Sequence, residues 1–140
     1  MTAPISRYAP LSDARVLVAD DDRELRRTIA KAVKVQGGAV DEAPDGASLR
    51  AMLRESLLVP SREPEWNVVV TDIDMPGASG LDVLDELGPL VGRRRFILVS
   101  GHVDAATRRR VHDAGAYAVL EKPFELPELL AMVRQVAHLR

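Results

Sequence analysis

Short apolar runs alternate along this chain with longer segments of helical period, and that alternation constrains the fold more than any other feature. The runs are Arg15–Ala19 (RVLVA), Ala39–Ala43 (AVDEA), Asn67–Thr71 (NVVVT), Arg95–Val99 (RFILV) and Ala116–Leu120 (AYAVL). Three of them are almost continuous Val, Ile and Leu, the pattern of strands covered on both faces. Between them, Asp22–Gln36 carries Leu25, Ile29, Ala32 and Val33 on one helical stripe and is stopped by Gly37-Gly38. Glu125–Leu139 carries a second stripe, Leu126, Leu129, Leu130, Val133, Val136 and Ala137. Further helices are expected after Asp45-Gly46, Ser79-Gly80 and Asp104, each with a capping residue at hand. Five strands alternating with five helices predict an α/β fold, a doubly wound five-stranded parallel sheet with helices on both faces. Residues 15–140 form this domain. Residues 1–14 read as a flexible tail, and Val59–Trp66 (VPSREPEW) as a Pro-rich loop before the third strand.

The acids fall at one kind of place. The first run ends in Asp20-Asp21-Asp22, the third in Thr71-Asp72-Ile73-Asp74, the fourth in Ser100-Gly101 and the fifth in Glu121-Lys122-Pro123. In a parallel sheet all these ends share one edge, where ligands bind at the switch point of strand order. Any single acid after a strand is explained by capping the next helix; four polar clusters at successive strand ends are not. Carboxylates about 5 Å apart repel by roughly 3 kcal/mol per pair at an effective dielectric near 20. Protonation, the Lys122 ammonium or a divalent cation must offset this. Hard oxygen ligands without His or Cys suit Mg²⁺. A carboxylate beside Mg²⁺ and a lysine is a nucleophile suited to phosphoryl transfer, and Ser100 adds a hydroxyl donor. The cluster reads as an aspartyl-phosphate site.

Composition removes competing classes. The 140 residues contain no cysteine, which excludes disulfide frameworks, thiolate zinc sites and cysteine nucleophiles. Lys plus Arg number 19 against 21 Asp plus Glu, without the basic excess of a nucleic-acid-coating protein. One Trp, two Tyr and two Phe are too few for a base-stacking platform. No apolar run approaches the roughly 20 residues of a membrane span, and residues 1–15 lack a secretory core, so a cytoplasmic location is expected.

These residues resemble the receiver domain of two-component response regulators. VLVADDDRELRR resembles its first strand, acidic pair and first helix, and VVVTDIDMPGASGLDVL its phosphoacceptor strand and following loop. ILVSG and GAYAVLEKPFELPELL resemble its fourth strand and the Lys-Pro segment before the last helix. The resemblance runs from Arg15 to Leu139 and implies a flavodoxin-like (βα)5 sheet in strand order 2-1-3-4-5. It implies Asp72 as phosphoacceptor, with Mg²⁺ held by Asp20, Asp21, Asp72 and the Asp74 backbone carbonyl. A shift of the metal pair to Asp21-Asp22 is the poorer register, since Asp22 suits the first helix N-terminus. Ser100 resembles the switch hydroxyl and Lys122 its counter-charge, with a cis peptide before Pro123. The implied function is a phosphorylation-dependent signalling switch rather than a turnover enzyme. Its phosphodonor is a sensor histidine kinase or phosphotransfer protein. Its output is a downstream protein bound on the face of the fourth helix, fifth strand and fifth helix, with homodimerisation left open and no direct nucleic-acid binding or membrane insertion expected.

Two other readings compete. DIDMP partly imitates the signature of haloacid-dehalogenase phosphohydrolases, but Met75-Pro76 lacks the expected Thr or Val and the acid follows the third run, not the first. A phosphorylation-independent docking module of receiver fold is the other; the intact acidic set argues against it, while Val119, standing where the family usually has Tyr or Phe, leaves it open. Strand alternation places Tyr117 on the same face as Val119. His102 is expected at the rim of the site, where it and Asp74 flank the approach of water in the family. His112, His138, Arg93–Arg95 and Arg108–Arg110 read as solvated surface. The Met start favours a stand-alone regulator.

Overall fold

The computed structural model describes residues 10–59 and 65–139. In chain order its elements are β1 (Arg15–Ala19), α1 (Arg23–Val35), β2 (Ala39–Ala43), α2 (Gly46–Leu57), β3 (Val68–Asp72) and α3 (Gly80–Val91). A 3-10 turn at Arg93–Arg95 leads into β4 (Phe96–Ser100), α4 (Ala105–Asp113), β5 (Ala118–Glu121) and α5 (Leu126–Ala137). All pairings are parallel and the sheet order is β2-β1-β3-β4-β5. This is the flavodoxin-like arrangement.

Strand alternation sorts the core into two layers. Val16, Val18, Val68, Val70, Ile97 and Val99 face Ile29 and Val33 of α1 and Leu129 and Val133 of α5. Leu17, Ala19, Val69, Phe96 and Leu98 face Leu49 and Leu53 of α2, Leu84 and Leu87 of α3, and Val111 of α4. Because β1, β3 and β4 are sandwiched between helices, both alternating sets are apolar, which explains their unbroken Val/Ile/Leu runs.

Helix starts follow the acids and serines expected of them. Asp22, Asp45, Ser79 and Asp104 each accept the backbone N–H of the third residue of the following helix; such caps contribute about 1 kcal/mol apiece. The first two strands have the predicted bounds. The third and fourth start and end one residue later than predicted, because Asp72 pairs opposite Val99 and Ser100 opposite Glu121. Asp72 and Ser100 are thus the last rungs of the ladder, held by sheet geometry rather than by a loop.

The N-terminal tail needs correction at its inner end. Leu11 and Ala14 are buried, the Leu11 N–H donates to the Gln36 carbonyl at 2.8 Å, and Ala39 N–H donates to Ala14. Leu11 closes the bottom of the α1–α5 layer, so ordered packing begins before β1; residues 1–9 lie outside the described residues. Of the loop Val59–Trp66, residues 60–64 also lie outside them, while Trp66 is buried beside β3 with its indole N–H on Asp41 at 2.9 Å. Among the described residues no helix is long and apolar enough to cross a membrane.

Candidate functional site

Parallel pairing brings the carboxyl ends of β1, β3, β4 and β5 side by side, and with them Asp20, Asp72, Ser100 and Lys122. Asp20, Thr71, Asp72 and Ser100 are buried polar residues at this edge. One carboxylate oxygen each of Asp20, Asp21 and Asp72 lies within 4.8 Å of the other two, an arrangement able to hold a metal ion. Lys122 reaches in from the β5 end, its Nζ 2.8 Å from Asp72 Oδ2 and 3.0 Å from Asp20 Oδ2. The remaining Asp72 oxygen accepts the Asp74 N–H at 3.0 Å, and Asp20 Oδ1 accepts the Asp22 N–H at 2.9 Å. The Lys122-Pro123 peptide is cis.

Glycine sets the depth of the pocket floor. A Cβ on Gly80, the first residue of α3, would stand 2.4 Å from the Asp72 carbonyl oxygen, so any side chain there would push β3 and its carboxylate out of place.

The charges are balanced unequally. Burial, foremost, pushes the Asp72 carboxyl above the ordinary carboxylate range, and the neighbouring Asp20 charge adds to this; Lys122 and the Asp74 N–H pull the other way without prevailing. Burial pulls the Lys122 ammonium down, but its hydrogen bonds to Asp72 and Asp20 outweigh that and leave it raised. The two directions agree physically: one ammonium serves two buried acids, so the lysine is well satisfied and Asp72 is not.

Ser100 is engaged away from Asp72. Its Oγ lies 3.1 Å from both Asp74 Oδ2 and the His102 carbonyl, either of which can take its one hydrogen, and accepts the His102 N–H at 3.2 Å. A cavity of about 380 Å³ lined by Ser100, Asp74, Leu81, Thr107 and Arg110 opens beside it. His102 itself is exposed at the rim with Nε2 3.4 Å from Asp104. Tyr117 does not share a face with Val119. Val119 packs with the α2–α4 layer, whereas Tyr117 packs with the α1–α5 layer and donates its hydroxyl to Gln135. The alternation argument fails because β5 starts at Ala118, so Tyr117 precedes the first paired residue and follows the turn from α4 instead.

The other flagged residues lie apart. His112 and His138 are exposed at the C-terminal ends of α4 and α5, and Arg93–Arg95 form the turn at the opposite sheet edge. Arg110 sits 3.6 Å from Asp82 and 3.8 Å from Asp85 on α3. Sequence reasoning missed Arg26, which contacts the Asp20 backbone, and the Asp74 side chain, which holds Ser100. Arg26 had a signal: it is one helical turn past the Asp22 cap, on a helix whose N-terminus faces the cluster. Trp66 yields a simple check of placement. Because Trp66 lies just before β3, at the sheet edge opposite the acidic cluster, with its indole tied to Asp41 of β2, Mg²⁺ titration is expected to leave its fluorescence almost unchanged; strong quenching would contradict that position.

The response regulator receiver domain model matches residues 16–134. The C4-dicarboxylate transport transcriptional regulatory protein DctD of Pseudomonas aeruginosa is 32% identical over 97% of this chain and 28% of its own length. The response regulator MprA of Mycolicibacterium vanbaalenii is 36% identical over 86% of this chain and 48% of its own. The chain thus spans about a quarter to a half of the length of these curated relatives. Among solved structures, the signal receiver domain of the putative response regulator NarL from Mycobacterium tuberculosis superposes with a TM-score of 0.75 at 27% identity, covering 91% of this chain and 98% of that one. With the acidic cluster, the Lys122 bridge and the β2-β1-β3-β4-β5 sheet already in place, these matches identify the chain as a member of the response regulator receiver domain family of two-component systems.

Proposed function

We propose that this chain accepts a phosphoryl group on Asp72 from the phosphohistidine of a sensor histidine kinase or phosphotransfer protein, and that the aspartyl phosphate alters binding of a downstream protein. The observation that carries the reading is the double contact of Lys122 with Asp72 and Asp20 inside a three-carboxylate cluster. Asp20, Asp21, Asp72 and the Asp74 backbone carbonyl are the residues that would hold Mg²⁺, an all-oxygen donor set suited to it. Bound there, the ion would neutralise charge on the phosphoryl oxygens.

The chain's own residues supply the rest. An Asp72 carboxylate oxygen attacks phosphorus as the bond from phosphorus to the donor imidazole nitrogen breaks, the electron pair staying on that nitrogen. Burial of Asp72 leaves its ionised form poorly solvated and therefore reactive, while the Lys122 ammonium beside it favours that form. Lys122 then faces the transferred group with its ammonium. Ser100, released from Asp74 and His102, donates to a phosphoryl oxygen. That change of partner links the site to the loop entering α4, and so to the α4–β5–α5 face proposed for partner docking.

Incubation with Mg²⁺ and acetyl phosphate, followed by intact-mass measurement, is expected to add a single phosphate. The adduct is expected to be absent in Asp72→Ala and in excess EDTA. An adduct that persists in Asp72→Ala would overturn the assignment of the acceptor; no adduct from small donors or a histidine kinase would favour the docking module.

A further inference from the structure

We propose that Arg26 is a positioning residue for the acidic cluster, fixing the Asp20-Asp21 peptide so that both acids face the cation. The proposal rests on the metal reading above and adds to it a residue that touches none of the cluster's carboxylates.

Every polar handle of Asp20 is held. Its N–H donates to the Ala43 carbonyl at 3.2 Å, Oδ1 accepts from Asp22, and Oδ2 accepts from Lys122. Its backbone carbonyl accepts from Arg26 Nη1 at 2.9 Å. That last bond matters most for Asp21. The Asp20 carbonyl and the Asp21 nitrogen share one planar peptide unit, so a donor locked on the oxygen fixes the direction in which the Asp21 backbone leaves. Asp21 is exposed, so this peptide plane, rather than burial, orients it.

Arg26 is itself locked. Its Nε lies 3.0 Å from Glu42 Oε1 on β2, and its side chain is only 11% exposed. Guanidinium geometry explains why arginine stands here. Nε and Nη1 are donors at fixed angles in one plane, so one rigid group ties Glu42 on β2 to the residue following β1. Because β1 and β2 are neighbouring strands in register (Val18 opposite Glu42, Ala19 opposite Ala43), the fork spans a gap that the sheet holds constant. A lysine ammonium keeps the charge but has no such fork.

The sign of one measurement separates this role from plain electrostatics. A cation near the cluster repels Mg²⁺, so if Arg26 acted by charge alone, Arg26→Met would tighten Mg²⁺ binding. Positioning predicts the opposite. Loss of an outer-shell partner typically weakens metal affinity 10- to 100-fold, and Arg26 acts through the backbone, so about tenfold weakening is expected. Calorimetric titration with Mg²⁺ at 10 °C, with circular dichroism confirming the fold, is the test. Arg26→Met should raise the Mg²⁺ Kd about tenfold, and Arg26→Lys should recover only a minor part. Glu42→Ala should weaken binding as well, and the double variant should be little worse than Arg26→Met alone, as for residues acting in series. If Arg26→Met is folded and binds Mg²⁺ equally or more tightly, the proposal is wrong. Should that variant not fold, Arg26→Lys, which keeps the charge and loses the fork, decides: unchanged Mg²⁺ affinity in it overturns the proposal. Absence of Mg²⁺ binding by the unaltered protein would overturn the metal reading and this proposal together, whereas unaltered binding in folded variants overturns the proposal alone.

Discussion

Lys122→Met is expected to lower the melting temperature by roughly 10 °C at pH 7.5 in EDTA and to slow phosphorylation by acetyl phosphate about a hundredfold or more. The stability loss follows from what remains behind. Asp20 and Asp72 are 2% and 5% exposed, and Lys122 is the ammonium that both carboxylates contact. Removing one partner of a buried pair costs about 3–5 kcal/mol, because the other charge stays buried and uncompensated. The Lys122 side chain is 24% exposed, which places the cost at the low end of that range. At 140 residues, about 3 kcal/mol corresponds to ~10 °C. The kinetic loss reflects removal of a preorganised cation from the position where phosphoryl charge develops, an effect of about 10²–10³ in comparable sites.

The pH dependence follows from the directions of the shifts. Lys122 is raised in the fold, so its contribution is complete below its unfolded pKa and disappears as pH rises through the folded value. Asp72 is also raised, so the folded state holds its proton more readily than the unfolded state does. Protonation therefore favours the fold, and stability falls as pH rises through the interval between those two values. Without Lys122, two buried carboxylates lose their counter-charge and that fall becomes steeper. The melting-temperature gap between the two proteins should be small in acid and widen toward neutrality, and excess Mg²⁺ should narrow it. A gap independent of pH would mean that Lys122 contributes packing rather than charge.

The sheet was legible in the chain because its strands are buried on both sides and its helices on one. Two-sided burial writes unbroken apolar runs for β1, β3 and β4, and one-sided burial writes the stripes of α1 and α5. The edge strand β2 was the weakest run, since its outer positions, such as Asp41 and Glu42, carry polar side chains. The cluster was legible because parallel pairing converts four separate strand ends into one location, so acids distant in sequence needed no further geometry to be brought together. Contacts made across elements were not legible. The reach of Arg26 to the Asp20 carbonyl, the hold of Asp74 on Ser100, and the turn that sends Tyr117 toward α5 each depend on side-chain direction, which period alone does not determine. Leu11 was missed for a related reason: a single apolar residue in a polar segment carries no period, yet it fills the end of a core layer.

Asp72→Asn is expected to remove the phosphate adduct completely and at the same time to stabilise the metal-free protein. These effects have a common cause. The features that suit Asp72 to attack phosphorus, burial and a neighbouring Asp20, are also those that raise its pKa and make its charge a cost to the fold. Asparagine removes the charge while keeping nearly the same shape, and its carbonyl can still accept from either the Asp74 N–H or Lys122, though not from both. Asp20 remains to balance Lys122, so no cation is left alone. Relief of the buried like charge therefore outweighs one weakened hydrogen bond, by on the order of 1 kcal/mol, or roughly 3–4 °C at this chain length. The sign reverses when Mg²⁺ is present, because ligation by the ionised Asp72 then stabilises the unaltered protein and the asparagine variant gains less. The gain should also shrink as pH falls toward the range where Asp72 itself is protonated. Melting curves of both proteins in EDTA and in Mg²⁺, at pH 7.5 and pH 5, test each part. An asparagine variant no more stable than the unaltered protein in EDTA at pH 7.5 would mean that Lys122 fully compensates Asp72, and that the acceptor carboxylate is held in place without electrostatic cost.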